Sequence, residues 1–66
     1  MTLADELPLE QARCRMIQGY ARDIGAPGAF LVAMIGVSLA RSERAAAAGD
    51  TVAMLEALVD LRSYKE

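Results

Sequence analysis

Covalent chemistry at neutral pH needs a nucleophile with a base, or a set of ligands, and this sequence offers few such groups. It has no histidine and one cysteine, Cys14. Arg13 and Arg15 flank that cysteine, and nearby guanidinium groups lower a thiol pKa when they share its surroundings. Neighbours on a helix splay by about 100°, however, so these three side chains do not share a face. Cys14 is therefore expected to be a half-buried structural thiol. A lone thiolate without histidine cannot build a zinc site, and no glycine-rich phosphate loop is present. The expectation is a non-enzyme with no catalytic residue, metal, cofactor or small-molecule ligand.

The remaining chemistry-bearing pattern is electrostatic. Glu56, Asp60 and Tyr64 recur every fourth residue near the end of the chain, which puts them on one line of a helix. One reading is an ordinary solvated face. The other is a docking stripe, with two carboxylates for arginine or lysine of a partner and a tyrosine as interface anchor.

The elements that must carry these residues are helices. The apolar fraction is 55%, mostly Ala, Leu, Val, Ile and Met, with Tyr20, Phe30 and Tyr64 the only aromatic residues. No stretch alternates with a period of two. The fold class is all-α: three helices forming two hairpins, in one domain, over about 7–24, 27–48 and 51–64. Pro8 is tolerated at the start of the first helix, and Asp5 and Glu6 face its positive pole. Leu9, Ala12, Met16, Ile17, Tyr20 and Ile24 share one face, which is expected inside; Gln11, Arg15, Gln18 and Arg22 share the other. Gly25 and Pro27 stop this helix in the usual order, and Pro27 can open the next. Gly49 ends the second helix. Asp50 caps the third, whose apolar residues are Val52, Leu55, Leu58, Val59 and Leu61, with Met54 at the edge.

From Ile24 to Ala40 there is no charge. A membrane-spanning helix needs ~20 apolar residues, but Gly25, Pro27 and Gly28 interrupt the start of this run. A helix covered on several sides by protein accounts for it better. One side faces the other two helices. The other is assigned to a second copy, because a single 66-residue chain without disulfide or metal has a marginal core of its own. Ala29, Ala33, Gly36 and Ala40 form a small-residue stripe that lets two backbones approach. Phe30, Met34 and Val37 form a larger stripe beside it. Together they are the expected dimer interface of a helical bundle.

Nucleic acid is an unsuitable partner. The net charge is −2, and phosphate binding wants a basic face. A helix-turn-helix centred on Gly49 has Ala45 in the right place, but Asp50 follows the glycine where an apolar residue belongs. Glu56 and Asp60 would then repel phosphates from the recognition helix. The segment MTLADELP lacks a basic n-region and an apolar core, and with a single free cysteine it fits a cytoplasmic protein. A small membrane-active peptide and a minor transcriptional regulator are the alternative classes.

Three segments, ELPLEQARCR, IGAPGAF and LARSERAAAAGDTVAMLEAL, resemble small early-region helical proteins of Mu-like transposable phages of Pseudomonas and related bacteria. The resemblance spans roughly Glu6 to Leu61 and rests on caps and turns. One member of that group is a quorum-sensing anti-activator, a small helical dimer. It binds the DNA-binding domain of a LuxR-type regulator and inhibits the pilus-assembly ATPase. The resemblance thus implies a phage protein that binds and disables a host regulatory protein in the bacterial cytoplasm. It places no partner-binding residue on this chain.

Overall fold

The computed structural model describes residues 2–65. Among these the chain forms α1 (Leu3–Ile24), a short 3-10 turn (Ala26–Gly28), α2 (Ala29–Ala48) and α3 (Thr51–Arg62), with no strand. No helix among the described residues is long and apolar enough to cross a membrane.

α1 begins four residues earlier than the spacing of Pro8 suggests. Thr2 caps it: its side chain accepts the Asp5 N–H at 3.3 Å, and the Asp5 carboxylate accepts the Thr2 N–H at 3.5 Å. This reciprocal pair satisfies amide donors that a helix start leaves open. Pro8 therefore lies inside the helix. Its missing N–H leaves the Ala4 carbonyl without the usual intrahelical donor, and Ala4 and Pro8 are both exposed, so water can reach that carbonyl.

The two breaks fall at the glycines. Gly25 has φ +89° and Gly49 has φ +67°, backbone angles that a Cβ disfavours. Pro27 sits in the middle of the 3-10 turn rather than opening α2. Asp50 caps α3 by accepting the Ala53 N–H at 3.1 Å, as its position after Gly49 suggests. α3 ends at Arg62, so Tyr64 lies beyond the helix.

Each helix packs on the other two. Gln18 bonds the Val32 carbonyl and Gln11 bonds the Ser42 hydroxyl, so α1 and α2 run antiparallel. Gly28 fixes how close they come, since a Cβ on Gly28 would lie 1.9 Å from the Ala21 carbonyl oxygen. The core is Leu7, Cys14, Ile17, Ile35, Leu39, Ala57, Leu58 and Leu61.

This core corrects the expected face of α1. Of the residues assigned to the inside, Ile17 is buried, but Leu9, Met16, Tyr20 and Ile24 are more than half exposed. Leu7, Cys14, Gln18 and Ala21 are buried in their place, at spacings of seven, four and three that make a single inward stripe. α3 shows the same division. Leu58 and Leu61 are buried with Ala57, whereas Val52, Leu55 and Val59 point to solvent.

The exchange has a polar cause. Gln18 donates to Val32 O at 3.0 Å, and Gln11 donates to Ser42 Oγ at 2.9 Å while Ser42 donates to Leu39 O at 2.7 Å. Buried polar groups that are fully bonded cost little and fix one arrangement. Among the described residues no buried side-chain N or O atom lacks a partner.

Candidate protein-binding surfaces

Cys14 is fully buried, beyond the half-burial expected for it, and its thiol donates to the Leu61 carbonyl at 3.4 Å. Burial pushes its pKa above the ordinary value of 9.0, and the pull of the Arg13 guanidinium does not offset that. A buried protonated thiol is a poor nucleophile.

Arg13 does not activate the cysteine; it ties α1 to the end of α3. Its guanidinium donates to Glu10 at 2.8 Å, to the Tyr64 carbonyl at 2.8 Å and to the Leu61 carbonyl at 2.9 Å. The last carbonyls of a helix have no intrahelical donor and carry partial negative charge, so a planar cation with several N–H groups suits them. Tyr64 closes the same corner, its hydroxyl 2.8 Å from Ser38 Oγ.

The Glu56, Asp60 and Tyr64 stripe is thereby divided. Glu56 is exposed, Asp60 is half-buried, and Tyr64 packs against the core. The two carboxylates line a groove between α2 and α3 whose floor is alanine: Ala45, Ala48, Ala53 and Ala57. Arg41 and Arg44 of α2 line the same groove. Asp50 lines it too, and none of these five charged side chains forms an ion pair among the described residues. By contrast, Arg15 pairs with Glu43 at 2.7 Å and Arg62 with Glu6 at 3.1 Å. The two arginines were not foreseen beside the carboxylates. The short Gly49–Asp50 link was the available signal, because it folds α2 and α3 back on each other and sets Arg41 and Arg44 level with Asp60 and Glu56.

The residues assigned to a dimer interface fall into two groups. Phe30 is 76% exposed, Val37 55% and Met34 42%, and Ala29 and Ala33 are also exposed. Gly36 and Ala40 are half-buried. Gly36 lies over α1, where a Cβ would stand 3.5 Å from Gln18 Nε2. The close helix approach that the small-residue stripe suggests is therefore, at Gly36, an approach within the chain.

Among the described residues no cluster of three His, Cys, Asp or Glu side chains is placed to hold a metal. What this surface can do chemically is present apolar side chains and unpaired charge to another macromolecule. The chain matches no protein-family model, no curated protein and no solved structure.

Proposed function

We propose that the chain is a non-enzymatic binding protein, a homodimer of three-helix, two-hairpin subunits that docks on and inhibits a host regulatory protein. The observation that supports this best is the amount of apolar surface left over after folding. Ten large hydrophobic side chains, from Met34 at 42% to Phe30 at 76%, remain exposed in a chain of 66 residues. Exposed apolar side chains in this number supply the material of an interaction surface.

The target class comes from the sequence resemblance: the DNA-binding domain of a LuxR-type quorum-sensing activator, with the pilus-assembly ATPase as a second target. A DNA-binding domain is built to receive a polyanion, and Glu56 and Asp60 offer unpaired carboxylates to such a basic surface. Arg41 and Arg44 in the same groove narrow the fit to a partner that also carries acidic side chains.

The test is a titration of the purified protein against a purified LuxR-type DNA-binding domain at two salt concentrations. Binding that weakens about tenfold or more in the Glu56→Lys, Asp60→Lys double variant, chiefly through slower association, supports the reading. Wild-type protein that leaves the domain free to bind its DNA removes that target. Equal affinity of the double variant and wild type at low salt moves the contact away from the groove.

A further inference from the structure

α3 is much shorter than the helices it packs on. It has 12 residues against 20 in α2 and 22 in α1, or ~18 Å against ~30 Å and ~33 Å. Its end is fixed by Arg13, Cys14 and Ser38, which bond Leu61 and Tyr64. Beyond that level only α1 and α2 continue, joined through Gln18, Val32 and the close contact of Gly28 with Ala21.

The side that α3 covers does not turn polar where α3 stops. On α1, Arg13 marks the line facing α3, and Tyr20 and Ile24 follow it two and three turns later. On α2, Arg41, Ala45 and Ala48 line the groove against α3. Met34 and Phe30 precede Arg41 by two and three turns on that line. Tyr20 is 54% exposed, Ile24 66%, Phe30 76% and Met34 42%, with Leu31 half-buried among them.

We propose that this open face, built by Tyr20 and Ile24 of α1 with Phe30 and Met34 of α2, is covered by the same face of a second copy. The inference rests on the homodimer reading and extends its interface from α2 to the two-helix end as a whole. Two observations select a second copy. The first is charge. No charged residue occurs from Ile24 to Ala40, so Ile24 and the α2 half of the face carry no charge. The nearest charges on α1 are Arg22 and Asp23, one of each sign, and a face without net charge does not repel its own copy across a two-fold axis. The second is area. The four side chains expose on the order of 500 Å², and Met16 and Val37 on the flanks bring this toward the ~800 Å² that each partner of a standard interface buries.

The experiment is sedimentation equilibrium of wild type, of Tyr20→Lys with Ile24→Lys, and of Val52→Lys with Val59→Lys as a control on the exposed stripe of α3. The wild type and the control are expected to dimerise alike, and the α1 variant to dissociate at least 100-fold more readily while staying helical by circular dichroism. Should the α1 variant lose its helicity, alkylation replaces it, with Ile24→Cys and Val59→Cys each placed in Cys14→Ser. The Ile24→Cys thiol is expected to become protected as protein concentration rises, and the Val59→Cys thiol to react at one rate throughout. A monomeric wild type overturns the homodimer reading and this inference together. A dimeric wild type with an equally dimeric, helical α1 variant, or with unprotected Ile24→Cys, overturns this inference alone.

Discussion

At one end of the molecule three helices meet, and side chains from all three are joined by directional bonds. Arg13 holds two carbonyls at the end of α3, Gln11 and Ser42 bridge α1 to α2, and Tyr64 bonds Ser38. At the other end two helices meet over little more than Gln18 and the Gly28 contact, with large apolar residues facing outward. The closed end fixes the arrangement of its buried apolar residues with hydrogen bonds, although Leu9, Val52, Leu55 and Val59 on its surface remain exposed. The open end spends its apolar residues outside. A chain this short can fold with one end tied by hydrogen bonds and large apolar side chains left exposed at the other.

The largest expected effect breaks the open end. Gly28→Val should cost about 3 kcal/mol or more, because the new side chain meets backbone at Ala21 and backbone cannot yield as a flexible side chain can. A thermal melt by circular dichroism measures it. A melt within a few degrees of wild type would show that α1 and α2 do not need this approach.

Next comes the closed end. Arg13→Ala removes charge-assisted donors to Leu61 and Tyr64 and should cost about 2 kcal/mol in urea unfolding. Arg13→Lys keeps the charge but lacks the planar fork, so it should recover less than half of that. If Arg13→Ala leaves the amides of α3 as protected from hydrogen exchange as in wild type, the guanidinium is not what anchors this helix.

Cys14→Ser should cost no more than ~1 kcal/mol, since a hydroxyl can also donate to the Leu61 carbonyl. Native Cys14 should resist alkylation until the chain unfolds. The pH dependence has a definite sign. The folded thiol has its pKa raised above 9.0, so the unfolded chain loses this proton first. The stability contributed by Cys14 is present in full below pH 9.0 and is lost as pH rises through the raised folded value. Unfolding in urea across that range should show this slope in wild type and not in Cys14→Ser. The smallest effect sharpens the contrast from outside: Val52→Lys with Val59→Lys should change stability by less than ~0.5 kcal/mol per site, because both are well exposed in the folded chain.

Helix content and the breaks at Gly25 and Gly49 were legible in the sequence, because backbone propensity and cap chemistry act locally. Asp50 is the clearest instance, a cap predicted from its place after a glycine and found bonded to Ala53. The start of α1 was not, because Pro8 resembled a first helical residue while the Thr2 and Asp5 pair formed a turn earlier. The inward face of α1 was misread for a deeper reason. Its outward stripe of Leu9, Met16, Tyr20 and Ile24 is more hydrophobic than the inward one of Leu7, Cys14, Gln18 and Ala21. Periodicity ranks stripes by hydrophobicity, and it fails where a chain carries more apolar surface than its own core can use. What selected the inner stripe was bonding of Gln18 and Cys14 to carbonyls of other helices. Such pairing depends on partners far along the chain. For the same reason Glu56 and Asp60 were visible as a pair while their neighbours Arg41 and Arg44 were not.

The contact of Gly28 with Ala21 also has a mechanical meaning. Two antiparallel helices that meet through smooth alanine and leucine surfaces can slip past each other by a turn at modest cost, and a loose end with an unfilled face invites such slippage. A backbone carbonyl seated where a side chain would otherwise stand acts as a detent. Sliding α2 along α1 by one turn so that Leu31 or Val32 came to that level would set a side chain against the carbonyl. The end of the molecule with the fewest bonds is thereby held at a single setting.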